Sequence, residues 1–84
     1  MYKIAFSKNA DKVLRRMPRN IALTIATKIK ELAGNPHSMR NVKKLTNHPG
    51  YRLRVGDWRI VYTVHDNECV ILVISVKTRG EVYK

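Results

Sequence analysis

Residues 51–62, YRLRVGDWRIVY, alternate apolar and polar positions on either side of a Gly-Asp pair. Successive side chains of a strand point to opposite faces, so alternation of this kind predicts two half-buried strands. Gly56-Asp57 suits a two-residue primed turn, because glycine takes positive φ without a Cβ clash. That loop length sets the register. Val55 faces Trp58, Leu53 faces Ile60 and Tyr51 faces Tyr62, which makes one apolar face. On the other face Arg54 falls opposite Arg59, with Arg52 one diagonal step away.

The rest of the chain supplies what that apolar face needs. YKIAF (Tyr2 to Phe6) alternates and predicts a first strand. Ser7 or Asn9 can cap a helix in which Ala10, Val13, Leu14 and Met17 recur at helical spacing, with Lys8, Lys12, Arg15, Arg16 and Arg19 on or near the other side. Pro18 ends that helix or opens the next, where Ile21, Ile25, Ile29 and Leu32 form a second stripe. Gly34-Asn35-Pro36 is a stop signal. A turn-rich segment follows, in which Asn41 to Leu45 reads as a short strand or extended piece. CVILVISVK, nearly all apolar, predicts a central strand covered on both faces, with Cys69 buried in it. The expected architecture is α+β: an N-terminal strand, then a two-helix hairpin packed on one face of a mostly antiparallel sheet of about four strands.

Composition narrows the function classes. The chain of 84 residues has room for one small domain, residues 1–84. It carries 17 Lys and Arg against 6 acids, a net charge of +11, which fits a nucleic acid or an acidic protein partner. A single cysteine excludes a disulfide framework and points to a reducing, cytoplasmic setting. One Cys with scattered His37, His48 and His65 shows no zinc-ligand spacing. The N-terminus lacks an apolar signal-peptide core, and no apolar run is long enough to span a bilayer, so no membrane association is expected.

Arg54 opposite Arg59 then becomes informative. Like charges directly opposite on a sheet destabilise it, and the only acid of the hairpin, Asp57, sits at the turn tip. Such an arrangement points to an anionic ligand. If the last strand lies beside the hairpin, its end brings Arg79, and the tail brings Tyr83, toward the same surface. Guanidinium groups and a phenol together suit a phosphodiester.

In order and spacing, IAFSKNADKVLRRMP, VKKL followed by GYRLRVGDWRIVYTV, and VISVKTRGEVY resemble the RelE family of bacterial toxins, within the wider RelE/ParE superfamily. The resemblance covers almost the whole chain. It implies a RelE-like microbial RNase-type fold and the toxin of a toxin–antitoxin pair. RelE-type toxins are ribosome-dependent endoribonucleases that cut mRNA in the A site of the 30S subunit. The ribose 2′-OH attacks the adjacent phosphate, the 5′-oxygen leaves and a 2′,3′-cyclic phosphate results, with no metal or cofactor. The implied partners are ribosomal RNA, mRNA and a neutralising antitoxin with an acidic toxin-binding segment. By the same resemblance Arg59 holds the scissile phosphate, Arg79 stabilises developing charge, and Tyr83 stacks on or orients the nucleotide. Arg52 and Arg54 match positions that are lysines in well-known members. Arginine stays charged and is a poor acid or base, so the two fit charge stabilisation rather than proton transfer. Lys43, Lys44 and Lys77 are further candidates for RNA binding or proton transfer, and Arg15 and Arg16 for contact with RNA. Two alternatives stay open: a ParE-like poison of DNA gyrase, and a non-catalytic basic RNA- or DNA-binding module.

Overall fold

The computed structural model describes residues 1–37 and 42–78. They form β1 (Lys3–Phe6), α1 (Lys8–Arg16), α2 (Arg19–Gly34), β2 (Val42–Lys44), β3 (Tyr51–Val55), β4 (Trp58–His65) and β5 (Val70–Thr78). The five strands make one sheet in the order β1-β5-β4-β3-β2. The chain starts at one edge, crosses one face as two helices, and re-enters at the far edge. It then walks back by three antiparallel steps until β5 lies parallel to β1. The architecture is the expected α+β one, with β1 completing a sheet that is otherwise antiparallel.

Local chemistry explains the helix boundaries. Ser7 caps α1: its hydroxyl accepts from the Ala10 N–H at 3.0 Å. The same hydroxyl donates to the Ile74 carbonyl of β5 at 2.5 Å, so the cap also ties α1 to the sheet. Asp11 in the first turn and Arg15 and Arg16 in the last complement the helix dipole. Met17 is extended (ψ 162°), as a residue before proline must be, and this ends α1. The Pro18 carbonyl accepts from the Ile21 and Ala22 N–H groups, so the residue that separates the helices also starts α2.

The core lies between the helices and one face of the sheet. Ala10 and Met17 of α1 and Ile25, Ile29, Leu32 and Ala33 of α2 meet Leu53, Ile60, Tyr62, Ile71, Val73 and Val76. Each fully buried Leu or Ile side chain contributes roughly 1.5–3 kcal/mol. Burying these stripes fixes which face of the hairpin points inward, and the arginines therefore point outward.

Two expectations about the last apolar run are corrected. Cys69 is exposed and lies outside the strand, with φ of 53°. It closes the β4–β5 turn, where its N–H donates to the Asp66 carbonyl, and this left-handed corner places it just before β5, its carbonyl still accepting from the Lys3 N–H of β1 at 2.8 Å. α1 packs on one face of β5 and no described helix covers the other, so Val70, Leu72 and Ile74 there are half-buried rather than covered. The β4–β5 register also shifts between Val61 and Tyr62, leaving Ile74 as the extra residue of a bulge.

Candidate functional site

The Gly56-Asp57 turn gives the register read from the sequence: Tyr51 pairs with Tyr62, Leu53 with Ile60, Val55 with Trp58 and Arg54 with Arg59. Gly56 has φ of 58° and Asp57 does not share it, the pattern of a type II′ turn.

The next strand extends the row of cations. Arg59 pairs with Arg54 on one side and with Lys77 of β5 on the other. Three cations thus lie side by side across β3, β4 and β5, with neighbouring backbones about 4.8 Å apart. Two residues along, Lys43 of β2 pairs with Arg52 of β3. These five residues share the sheet face that points away from the helices. Arg59 is only 6% exposed, the single buried charged residue among those described, and other groups of the chain engage it. Arg54, Lys43 and Lys77 are exposed and Arg52 is half-exposed. Among the described residues none of these four forms an ion pair with an acid; the ion pairs present are Arg15–Asp11, Lys28–Glu31 and His37–Asp66. A face of this kind can offer charge-assisted donors to an anion, with little enclosure.

Other candidates fall elsewhere. Lys44 pairs with Tyr51, which puts it on the helix side of the sheet edge. Arg15 and Arg16 belong to α1, in the layer across the sheet from the cation rows; Arg15 is bonded to Asp11 at 3.1 Å. Arg79 and Tyr83 lie outside the described residues. Trp58 is on the helix side, between two apolar hollows. One is lined by Asn20, Ile21, Thr24 and the hairpin tip, the other by Val13, Arg16, Met17 and Pro18. His48 accepts the Gly50 N–H at 2.8 Å in the loop before β3, and His65 is bonded to Thr63 at the end of β4 away from Arg59. Neither joins the cation rows.

Shifted titrations are found on the helix side and at the far end of the sheet. Burial pushes the Tyr62 hydroxyl up to about 12, with a smaller contribution from Tyr51 stacked on it at 5.7 Å. At the far end of the sheet Tyr2 donates to Asp66, which raises the phenol to about 12. Tyr2 and then His37, both bonded to Asp66, hold its carboxyl below the usual range. Among the described residues no group of three or more His, Cys, Asp or Glu side chains could hold a metal ion, and no helix is long and apolar enough to cross a membrane.

Two neighbours in these rows were not derivable from the hairpin alone. Placing Lys77 beside Arg59 needs the β4–β5 register, and the bulge at Ile74 hides it. Lys43 opposite Arg52 was closer to legible, because Val42 continues the apolar side and Lys43 must then face the other way.

Comparison with known proteins gives the family and agrees with the fold. The family model for the ParE toxin of the type II toxin–antitoxin system parDE matches residues 4–83. A RelE-like toxin protein of Escherichia coli is 30% identical over 88 residues, covering 98% of this chain and 90% of its own length. The toxin of the intact E. coli RelBE toxin–antitoxin complex superposes with a TM-score of 0.82 at 28% identity, over 93% of this chain and 96% of that one. An archaeal RelE–RelB complex from Pyrococcus horikoshii gives a TM-score of 0.82 at 27% identity, over 94% and 96%. This chain therefore belongs to the ParE toxin family of type II toxin–antitoxin systems and is a RelE-like toxin of the RelE/ParE superfamily.

Proposed function

We propose that this toxin is an endoribonuclease that cuts mRNA in the ribosomal A site and is neutralised by a cognate antitoxin. The observation that carries this is the row Arg54–Arg59–Lys77 on an otherwise open sheet face. The ribose 2′-OH loses its proton and attacks the adjacent phosphate. The bond to the 5′-oxygen of the next nucleotide breaks, and that oxygen leaves and takes up a proton. The path runs through a five-coordinate phosphorus with extra negative charge on its oxygens. Preorganised cationic donors stabilise that charge more than they stabilise the ground state. Arg59, held by its surroundings, takes the scissile phosphate, and Arg54 and Lys77 flank it. Arg79 and Tyr83 follow the end of β5 in sequence and complete the set in this proposal. No arginine serves as the base. Lys77 is the one lysine in the row and the best placed for proton transfer. Alignment of the 2′-OH by the ribosome supplies much of the remaining rate.

The antitoxin proposal draws on relatives solved as RelE–RelB complexes and on the net charge of +11. An acidic segment laid over the cation face offsets the repulsion and blocks RNA.

A second reading, a gyrase poison without nuclease activity, is favoured by the match to the ParE family model. Primer extension on a defined mRNA separates the two. Programmed ribosomes with an open A site and naked mRNA are each incubated with the toxin, and DNA supercoiling is assayed alongside. Cuts in the A-site codon only with ribosomes support the nuclease. Intact mRNA with inhibited supercoiling supports the gyrase poison.

A further inference from the structure

The five cations of the sheet face fall into two rows rather than one cluster. Arg54, Arg59 and Lys77 are ladder partners across β3, β4 and β5. Lys43 and Arg52 are ladder partners across β2 and β3, and their row continues through the uncharged Val61 and Ser75. Two residues of strand separate the rows by roughly 6.5–7 Å. That is comparable to the spacing of neighbouring phosphates in an extended single strand. Strand side chains stand nearly perpendicular to their sheet, so rows spaced like this address two phosphates rather than one. The rows are also offset sideways. The first is centred on β4 and the second lies between β2 and β3, an offset of roughly 7 Å. The row centres are therefore about 10 Å apart on a diagonal track from Lys77 to Lys43, with Arg52 and Arg54 of β3 the closest pair at roughly 6.5–7 Å. Lys43, Arg52, Arg54 and Lys77 have no acidic partner among the described residues to compete for them.

We infer that the sheet holds two neighbouring phosphates of one RNA strand, the Arg54–Arg59–Lys77 row taking the phosphate at the cut and the Lys43–Arg52 row the next one along. The identity of the first phosphate rests on the nuclease proposal. The two rows then have different jobs. Charge on the flanking phosphate does not change during the reaction, so Lys43 and Arg52 bind ground and transition states alike and affect KM, which moves Arg52 from the charge-stabilising part that the family resemblance implies to a substrate-holding one. Charge on the phosphate at the cut grows, so the first row affects kcat.

The test uses purified toxin and a short labelled RNA whose sugar at the cut is 2′-deoxy, so that no nucleophile is present. A set of such RNAs each carries one neutral methylphosphonate linkage, and binding is followed by fluorescence anisotropy across a salt series. Wild type should lose affinity at two neighbouring linkages. The Lys43→Ala/Arg52→Ala variant should become indifferent to one of them only, and Arg54→Ala/Lys77→Ala, which keeps Arg59, should become less sensitive to the other only. Each double variant should also lower the slope of log affinity against log salt by about 0.7, the value of one single-strand phosphate. Circular dichroism confirms that both variants are folded. Reduced sensitivity of both variants at the same linkage, unchanged salt slopes, or no binding by wild type overturns the inference. The RNA cannot be cut and no ribosome is present, so these outcomes are independent of whether the toxin is a nuclease, which the ribosome assay decides.

Discussion

Arg54→Met should make the free toxin more stable while weakening its action on RNA. Methionine keeps an unbranched apolar stem over the sheet and removes only the charge. Arg54 is directly opposite Arg59, which has Lys77 on its other side. Cross-strand pairs are worth roughly 0.2–1 kcal/mol, and like charges carry the unfavourable sign. Arg54 is exposed, so screening puts the gain near the middle of that range, about 0.5 kcal/mol. A chain of this size shifts its Tm by about 4–8 °C per kcal/mol, so a rise of about 2–4 °C is expected. The electrostatic origin has its own signature. The Debye length falls from about 10 Å at 0.1 M salt to about 3 Å at 1 M, so the gain should be largest at low salt and nearly absent at 1 M. Thermal unfolding followed by circular dichroism at several salt concentrations measures this. Arg15→Met is the control: it removes an i,i+4 ion pair with Asp11 and should give no gain. An Arg54→Met protein with unchanged or lower Tm at low salt, or a gain indifferent to salt, refutes the idea that the row is strained by its own charge.

Further outcomes follow from groups outside the row. Ser7→Ala removes a helix cap and the bond to the Ile74 carbonyl together, so urea unfolding should show a loss of about 1–2.5 kcal/mol; a loss below about 0.5 kcal/mol contradicts the double role. The buried Tyr62 hydroxyl has no hydrogen-bond partner among the described residues, so Tyr62→Phe should be neutral or stabilising, and a loss above about 1 kcal/mol is incompatible with this. Tyr62 is raised to about 12, so the stability tied to its neutral form is complete below its unfolded value near 10 and disappears as pH rises toward 12. Tyr62→Phe should flatten that alkaline limb, and an unchanged limb counts against it. Asp66 titrates below its usual range, so its contribution is present above its unfolded value near 4 and is lost as pH falls further. Asp66→Asn should therefore flatten the acid limb of a stability–pH profile, and an unaltered limb removes the Tyr2–Asp66–His37 cluster as its cause.

Most of the fold was legible because each apolar stripe has a clear period. The spacing of Ile21, Ile25, Ile29 and Leu32 specified α2, and a two-residue turn left one register for β3 and β4. The cross-strand pair Arg54–Arg59 followed from that turn alone. Elsewhere local signals were weaker. The β4–β5 turn is closed by Cys69 in a left-handed conformation that cysteine does not advertise, and an apolar neighbourhood suggested a buried strand residue instead. The bulge at Ile74 depends on long-range pairing and on the Ser7 hydroxyl that binds its carbonyl, so nothing within the strand announces it. For the same reason Lys77 could be named as a candidate but not placed beside Arg59. The number of basic residues was obvious; their division between the two sides of the sheet was not, because it depends on the register of β2 and on which layer carries α1.

The most direct test of the account is the single-turnover rate of mRNA cleavage on programmed ribosomes by wild type, Arg54→Ala and Arg59→Gln, with circular dichroism confirming that each is folded. The account predicts cuts confined to the A-site codon, slowed about 100- to 1,000-fold by loss of Arg59, as for other donors to a developing oxyanion, and less by loss of the exposed Arg54. Cleavage at the wild-type rate by folded Arg59→Gln, or no cleavage by wild type, would contradict it.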